Sequence, residues 1–265
     1  MALVRISDPA DERVADYRTL RDAELRKRYE HRAGVFIAEG PGVVRALLAS
    51  AYPTRSLLLE ERRVDELAPL VQGSDVPVYV AERAVLYDIV AFRMHQGALG
   101  CGDRLPPRPL AEVVAEADRL VVLDAMNDHE NMGAIFRTAR ALRADGVLLG
   151  PRCADPLYRR SVRVSMGHVL HMPSASIGEL PASLAPLHAQ GLTSVALTPD
   201  TGAVPLEEVR ADRRLALLLG AEGPGLAPET LAAADVRARI PMTAGVDSLN
   251  VSAAAAVALY ALRRR

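Results

Sequence analysis

The stretch "MTAGVDSLNVSAAAAVALYALRRR", residues 242–265, predicts an α-helix whose entrance carries more polar side chains than a helix needs. Its alanines and leucines favour a helix, and its closing arginines would lie at the negative end of the helix dipole. Ser248, Asn250 and Ser252 are three candidates for the N-cap, although one capping side chain is enough. We therefore expect some of them to have a role other than capping.

A second stretch, "LALLLGAEGPGLAPE" at residues 215–229, places three glycines between a buried strand and a helix. Gly220, Gly223 and Gly225 at such a turn would let the backbone approach a phosphate or a ribose closely. Their spacing matches neither the dinucleotide-binding fingerprint nor the P-loop. A tight turn that holds no ligand is the alternative interpretation.

The alternation of strands and helices predicts an α/β fold. Beyond residue 118, nearly continuous apolar strands such as "RLVVLDAM" and "RLALLLG" are separated by helices, which is typical of a parallel sheet covered on both faces. Residues 1–102 alternate in the same way and predict a smaller α/β domain. Within it, residues 11–32 are interpreted as one charged helix. The apolar stripe of that helix would be formed by Val14, Tyr17, Leu20 and Leu25.

Two glycines and three prolines in "GCGDRLPPRP", residues 100–109, indicate a linker between two domains. We therefore predict a first domain at residues 1–102, a linker at 103–117 and a second domain at 118–265.

Composition limits the possible environments and partners. The formal net charge of −1 gives the 265-residue chain no global basic field, so any nucleic-acid contact must come from a local patch. Lys27 is the only lysine among 32 basic residues, and arginine is the better bidentate donor to phosphate. Cys101 and Cys153 have no partners at metal-ligand spacing, which favours a reducing compartment without a metal site. With no apolar run long enough to span a bilayer, we expect a cytoplasmic protein.

The stretch "DHENMGAIFRTA", residues 128–139, opens a predicted helix on which Arg137 follows Asn131 by six residues. Asn131 is a natural N-cap, so its presence alone says little about function. Arg137, Arg140 and Arg143 share one helix face, and a solvated basic stripe is the alternative to a functional arginine.

Taken in order, "DHENMGAIFRTA", "LGAEGPGL" (219–226) and "IPMTAGVDSLNVSAAAAVALY" (240–260) resemble the three motifs of the SpoU/TrmH family of S-adenosylmethionine-dependent RNA ribose methyltransferases, within the SPOUT superfamily. Further upstream, "VFIAEGPGVVRALL" (35–48) and "HQGALG" (95–100) resemble the start and exit of the family's auxiliary substrate-binding domain, which is related to small RNA-binding ribosomal proteins. One departure is His129, which stands where the family usually has proline.

The resemblance implies a deep trefoil knot in residues 118–265, and this knot would form the cofactor pocket. Main-chain groups there would hold a bent S-adenosylmethionine. The implied cofactor-binding residues are Thr198, Gly220, Ile240, Met242 and Leu249. Two knotted domains would pair into a homodimer in which each site borrows residues from its partner.

The implied reaction is methyl transfer to a ribose 2′-hydroxyl, which is a poor nucleophile and needs alignment and proton removal. Arg137 corresponds to the family's proposed general base, but arginine stays protonated in proteins. We therefore expect it to bind the target phosphate and stabilise the developing alkoxide. The residues expected to hold it and the hydroxyl in register are Asn131, Glu222, Ser248 and Asn250.

The expected substrate is structured RNA, ribosomal RNA more than tRNA. Residues 1–102 would bind it, and the best local candidates for backbone contact are Arg159, Arg160 and Arg163, for which a solvated helix face is an equal alternative. Three other functions stay open: the same reaction on tRNA, an RNA-binding protein without transfer activity, and a nucleotide-binding enzyme unrelated to RNA.

Overall fold

A computed structural model describes residues 3–210 and 214–263, and the chain divides into two compact units. The first unit combines Met1–Pro106 with Pro156–His171, and the second combines Pro107–Asp155 with Met172–Arg265. No helix in these described ranges is long and apolar enough to cross a membrane.

The strands are β1 (Leu3–Ile6), β2 (Val35–Glu39), β3 (Thr54–Glu60), β4 (Val78–Ala81), β5 (Ala98–Asp103), β6 (Arg119–Leu123), β7 (Gly146–Leu149), β8 (Ser174–Ser176), β9 (Thr193–Leu197), β10 (Val204–Pro205), β11 (Leu215–Leu219) and β12 (Val236–Arg239). The α-helices are α1 (Ala23–Ala33), α2 (Pro41–Leu48), α3 (Val64–Leu67), α4 (Arg83–Val90), α5 (Leu110–Ala115), α6 (His129–Ala141), α7 (Arg159–Val164), α8 (Leu184–Ala189), α9 (Pro228–Ala233) and α10 (Val251–Ala261). Short 3₁₀ helices lie at Glu12–Tyr17, Glu61–Arg63, Ala68–Val71, His168–His171 and Leu206–Glu208.

Each unit is built on its own sheet. The first unit has five strands in the order β1-β4-β3-β5-β2, with β5 antiparallel to both of its neighbours. The second has seven strands in the order β10-β12-β9-β11-β6-β7-β8, and every pair is parallel. The predicted α/β class and the parallel sheet are therefore confirmed.

Helices cover both faces of the parallel sheet because its strands are apolar on both sides. Alternate strand residues such as Leu120, Val122 and Leu218 pack against α5 and α8 in one buried cluster. On the other face, α6 and α10 pack against each other, with α10 also contacting β11 and α6 contacting β7. This pairing of α6 with α10 positions the candidate site described below.

The interpretation of residues 100–109 as a linker is wrong for residues 100–103, which belong to β5, a central strand of the first sheet. The glycines there serve packing: a Cβ on Gly102 would lie 2.5 Å from the ring of Phe36, and one on Gly100 would lie 2.9 Å from Leu47. The predicted linker range, 103–117, also contains α5.

The single charged helix expected at residues 11–32 is also wrong. The helix is interrupted between the 3₁₀ helix Glu12–Tyr17 and α1, where Thr19 has a left-handed backbone with φ 57°. Asp22 then caps α1 by accepting a hydrogen bond from the Leu25 amide. Because of this interruption, α1 does not continue the apolar face expected from Val14, Tyr17 and Leu20. Leu25 is 53% exposed, and Arg26 is fully buried instead.

Helix α7 belongs to the first unit although its sequence lies inside the predicted second domain. It packs on β2, where Arg159 and Arg163 both pair with the buried carboxylate of Glu39, and the Arg163 Nη1–Glu39 Oε1 distance is 3.1 Å. A chain that began near Leu110 would therefore leave α7 without the strand it packs against.

We predict that Glu39→Gln lowers the free energy of unfolding by about 3 kcal/mol, because it leaves the arginine charges on α7 without their buried counter-charge. Chemical denaturation of the full chain measures this loss. The matched control is Glu12→Gln, which breaks the ion pair of an 86% exposed carboxylate with Arg18 and should cost less than ~1 kcal/mol. Equal losses for the two variants would contradict the structural role of Glu39.

Candidate active site

A pocket of about 270 Å³ lies at the carboxyl ends of β9 and β11 in the second unit. Its walls come from residues 197–199 at the end of β9, residues 219–223 and 225 at the end of β11 and in the turn that follows, residues 240 and 242 after β12, and residues 248–251 and 254 at the start of α10. In parallel sheets, ligands bind in crevices outside the carboxyl ends of the strands, so the position itself indicates a binding site.

The structure brings all five predicted cofactor-binding residues to this one pocket. Thr198 and Gly220 come directly after neighbouring strands, whereas Ile240, Met242 and Leu249 come from the segment between β12 and α10. Three chain segments therefore meet here although Thr198 and Leu249 lie 51 positions apart in the sequence (249 − 198). Sequence reasoning missed other lining residues, among them Pro199, Val251 and Ala254, because nothing distinguishes them from ordinary turn or helix residues.

The glycine turn closes on itself. The Gly225 amide donates to the Ala221 carbonyl at 3.0 Å, and Gly223 and Gly225 have φ of +86° and +70°. A Cβ on Gly220 would lie 2.2 Å from the carbonyl carbon of Gly225. Position 220 therefore requires glycine because the backbone of the same turn packs against it. This requirement holds whether or not a ligand also lies close.

Asn250 connects three segments of the site through its side-chain amide. Its Nδ2 donates to Asn131 Oδ1 at 3.0 Å and to Glu222 Oε1 at 2.8 Å, while its Oδ1 accepts from the Ser252 amide at 2.9 Å and so caps α10. Of the three candidate caps, Asn250 is the N-cap, Ser252 donates its hydroxyl to Asn250, and Ser248 lines the pocket.

Asn131 is not the N-cap of its helix, contrary to the sequence-based interpretation. Asp128 caps α6 by accepting a hydrogen bond from the Asn131 amide at 2.7 Å, which leaves the buried Asn131 side chain available to Asn250. His129 is the first residue of α6, a position that proline favours, so the fixed φ of the family's proline would suit it. Capping by Asp128 starts the helix without that proline.

Arg137 lies apart from this network within one chain. Its side chain is exposed and makes no hydrogen bond or ion pair with any residue in the described ranges. Six residues along an α-helix place it about 9 Å from Asn131 along the axis and about 120° around it. The structure therefore joins Asn131, Glu222 and Asn250, puts Ser248 on the adjoining pocket wall, and leaves Arg137 pointing elsewhere.

Arg119, which sequence reasoning did not single out, holds the far ends of the two site helices. Its guanidinium donates to the Leu142 carbonyl at the end of α6, at 3.0 Å, and to the Leu259 carbonyl in the last turn of α10, at 2.7 Å. Because α6 and α10 meet through Asn131 and Asn250 at their other ends, the helices run side by side in the same direction. A cation at two helix C-termini is also favoured by both dipoles.

The described residues contain no group of three His, Cys, Asp or Glu side chains arranged to hold a metal ion. Burial raises the pKa of the Cys153 thiol, which donates to the Leu123 carbonyl at 3.2 Å. A protonated thiol is a poor metal ligand and a poor nucleophile.

Comparison with known proteins identifies the family of the chain. A model of the SpoU rRNA Methylase family matches residues 118–260. An uncharacterized tRNA/rRNA methyltransferase of Mycobacterium tuberculosis is 43% identical over 258 residues, covering 96% of this chain and 90% of that protein. The crystal structure of an AdoMet-bound rRNA methyltransferase from Sinorhizobium meliloti superposes with a TM-score of 0.84 at 26% identity, covering 98% of this chain and 97% of that one. An RNA 2′-O ribose methyltransferase structure gives 0.80 at 26% identity, covering 98% of both. These matches confirm the resemblance that the three motifs indicated.

We predict that Gly220→Ala destabilises the protein by about 3 kcal/mol or more, because its Cβ would overlap backbone atoms of Gly225 and Leu226 that cannot move independently. Chemical denaturation measures the change. Gly223→Ala is the control: its Cβ meets open space, and only the left-handed backbone costs about 1–2 kcal/mol. A Gly220→Ala protein as stable as the parent would mean that the turn tolerates a side chain there.

Proposed function

The chain belongs to the SpoU rRNA methylase family, and from this membership we propose that it transfers a methyl group from S-adenosylmethionine to a ribose 2′-hydroxyl of structured RNA. The observation that carries the proposal is the convergence of the five candidate cofactor residues on one pocket beside the Asn131–Asn250–Glu222 network. Ribosomal RNA is the proposed substrate, with tRNA as the alternative.

The residues of the pocket fit the proposed cofactor. Exposed or partly exposed apolar side chains of Ile240, Met242 and Leu249 offer a surface for an adenine ring, and the glycine turn leaves main-chain groups accessible for hydrogen bonds. Glu222 adds a carboxylate to the wall, which suits a ligand that carries positive charge. Bound there, the cofactor would supply an electrophilic methyl group.

The chain's own residues would align and activate the hydroxyl. Asn250 keeps Glu222 and Asn131 in fixed positions, because one amide group donates to both side chains. Ser248, on the pocket wall, would bind the ribose hydroxyl and orient it. Arg137 would bind the target phosphate and stabilise negative charge on the attacking oxygen, since its guanidinium stays protonated.

A homodimer would bring Arg137 to a site. Its exposure and lack of partners within the described part of its own chain support a role in the partner's site. The apolar side chains of Val257 and Tyr260 on α10 are 42% and 56% exposed, and pairing would cover them.

The proposed knot would be formed by the segment after the glycine turn, which returns from β12 to the pocket. The proposed RNA-binding domain is the first unit, related in its start and exit motifs to small ribosomal proteins. The cytoplasmic location stays a prediction.

Filling the pocket tests cofactor binding. Ala254→Phe should weaken binding of S-adenosylmethionine by at least ~100-fold, because the ring would occupy the space that the ligand needs. Isothermal titration calorimetry measures it. Ala232→Phe, at an exposed position on the neighbouring α9, should bind like the parent. Parental binding by Ala254→Phe would place the cofactor elsewhere. A parent that binds ATP or NAD and ignores S-adenosylmethionine would favour the unrelated nucleotide-binding enzyme.

Replacing Arg137 tests the transfer chemistry. Arg137→Ala should bind S-adenosylmethionine normally while methyl transfer falls by at least ~100-fold, as expected for a lost charge-stabilising group. Arg137→Lys should restore little, because a point charge does not reproduce the bidentate fork. The measurement is 2′-O-methylation of total RNA from cells that lack the gene. Arg140→Ala, on the same helix face, is the control. Transfer at the parental rate by Arg137→Ala would show that this arginine has no role in the reaction and belongs to a solvated basic stripe. A parent protein that binds RNA without methylating it would favour the alternative of an RNA-binding protein without transfer activity.

A further inference from the structure

Most arginines of the first unit are neutralised by carboxylates. Arginines with such ion pairs are Arg5, Arg13, Arg18, Arg26, Arg45, Arg55, Arg62, Arg63, Arg83, Arg104, Arg159 and Arg163. Two of the three sequence-based candidates for RNA contact, Arg159 and Arg163, pair with Glu39, and the third, Arg160, also has an interaction partner. Cations of the first unit that have no carboxylate partner are therefore the better candidates for binding phosphate.

Helix α1 carries basic side chains that are not neutralised in this way. The side chains of Lys27, Arg28 and Arg32 are exposed and form no ion pair or hydrogen bond with any group that the structure describes. His31 is exposed between them. In the described part of the first unit, the same lack of partners is found only at Arg21, just before α1, and at Arg93.

The helix is anchored so that these side chains point outward. Arg26 and Glu30 are 0% and 1% exposed and form an ion pair, with Arg26 Nε donating to Glu30 Oε1 at 2.7 Å. Arg26 also donates to the Asp16 carbonyl at 2.6 Å, which ties α1 to the preceding 3₁₀ helix. At 100° per residue, positions 27, 28, 31 and 32 span an arc of about 140° on the side opposite this buried pair.

The chemistry of this face suits a phosphate backbone. Three permanent cations and an imidazole lie within one and a half turns of a rigid helix, and two of the cations are guanidinium forks that bind phosphate in a bidentate manner. A membrane surface is the less suitable partner, because interfacial helices need an apolar face beside the basic one, and α1 exposes only Leu25 among its large apolar residues.

We propose that the basic face of α1, formed by Lys27, Arg28, His31 and Arg32, binds the phosphate backbone of the RNA that the second unit methylates. This inference rests on the proposed function. The face supplies affinity and register, whereas the choice of nucleotide is made elsewhere, because phosphate contacts carry no sequence information. Because this unpaired positive charge is concentrated on one helix, the protein can bind RNA although the whole chain has a net charge of −1.

The test is a triple variant, Lys27→Gln, Arg28→Gln and Arg32→Gln, in the full-length chain. Glutamine has nearly the same helix propensity as lysine and arginine, so α1 should keep its structure. Binding of a fluorescently labelled RNA hairpin is measured by anisotropy over a range of salt concentrations. The log–log salt slope should become shallower by about 2–3 units, and affinity at low salt should fall at least ~10-fold. Transfer to total RNA from cells lacking the gene should fall in parallel, with S-adenosylmethionine affinity unchanged.

The control removes the same charge from paired arginines of the same unit: Arg5→Gln, Arg13→Gln and Arg45→Gln. It should change the salt slope by less than about one unit, because these side chains are already bound to carboxylates. The double variant Arg28→Gln and Arg32→Gln should give about two thirds of the triple variant's slope change, which guards against a folding artefact.

A triple variant with the parental affinity and slope would overturn the inference, as would an equal loss in the control, which would assign the effect to net charge. Preferential binding of the parent to vesicles containing phosphatidylserine, lost in the triple variant while RNA binding persists, would assign the face to a membrane. These failures differ from failure of the proposed function, which would appear as a parent protein that neither binds S-adenosylmethionine nor methylates RNA.

Discussion

The side-chain amide of Asn250 makes the hydrogen bonds that organise the candidate site. Its oxygen starts α10, and its nitrogen links that helix to Asn131 on α6 and to Glu222 in the glycine turn. The asparagine amide combines an acceptor oxygen and a donor nitrogen in one short planar group, and glutamine, the other amide side chain, is longer and a weaker N-cap. One residue therefore sets both the beginning of the last helix and the spacing of the polar groups beside the pocket.

The opposite ends of α6 and α10 are fixed by a different kind of interaction. Arg119 donates to a carbonyl at the end of each helix, and Asp145 accepts the backbone amides of Asp118 and Arg119. The two helices are thus held at both ends, on a sheet whose strands β6 and β11 pair along their whole length and are almost entirely buried. Such a rigid frame keeps polar groups in position for chemistry that depends on alignment.

In the first unit, most arginines form ion pairs with carboxylates. These include the buried pair of Arg26 with Glu30 and the pair of Glu39 with Arg159 on α7. Such pairs orient elements but leave little positive field outside. Cations without carboxylate partners are therefore informative here, and α1 holds most of those in the described residues of this unit.

The sequence by itself determined the α/β class, the parallel sheet of the second unit and the family, because apolar strand patterns and motif order are local properties of the chain. It also gave the residue types that line the pocket, since turn glycines and small polar residues stand out after buried strands. Only the tertiary structure decided which polar residue caps which helix, since Asp128 and Asn131 are equally good caps in sequence and differ only in what lies near them. The same is true of Gly100 and Gly102, which looked like a linker and are strand residues under α2, and of Leu25 and Arg26, whose exposure is reversed by one break in the chain. These outcomes depend on packing between segments that are distant in the sequence, so no short stretch of sequence predicts them.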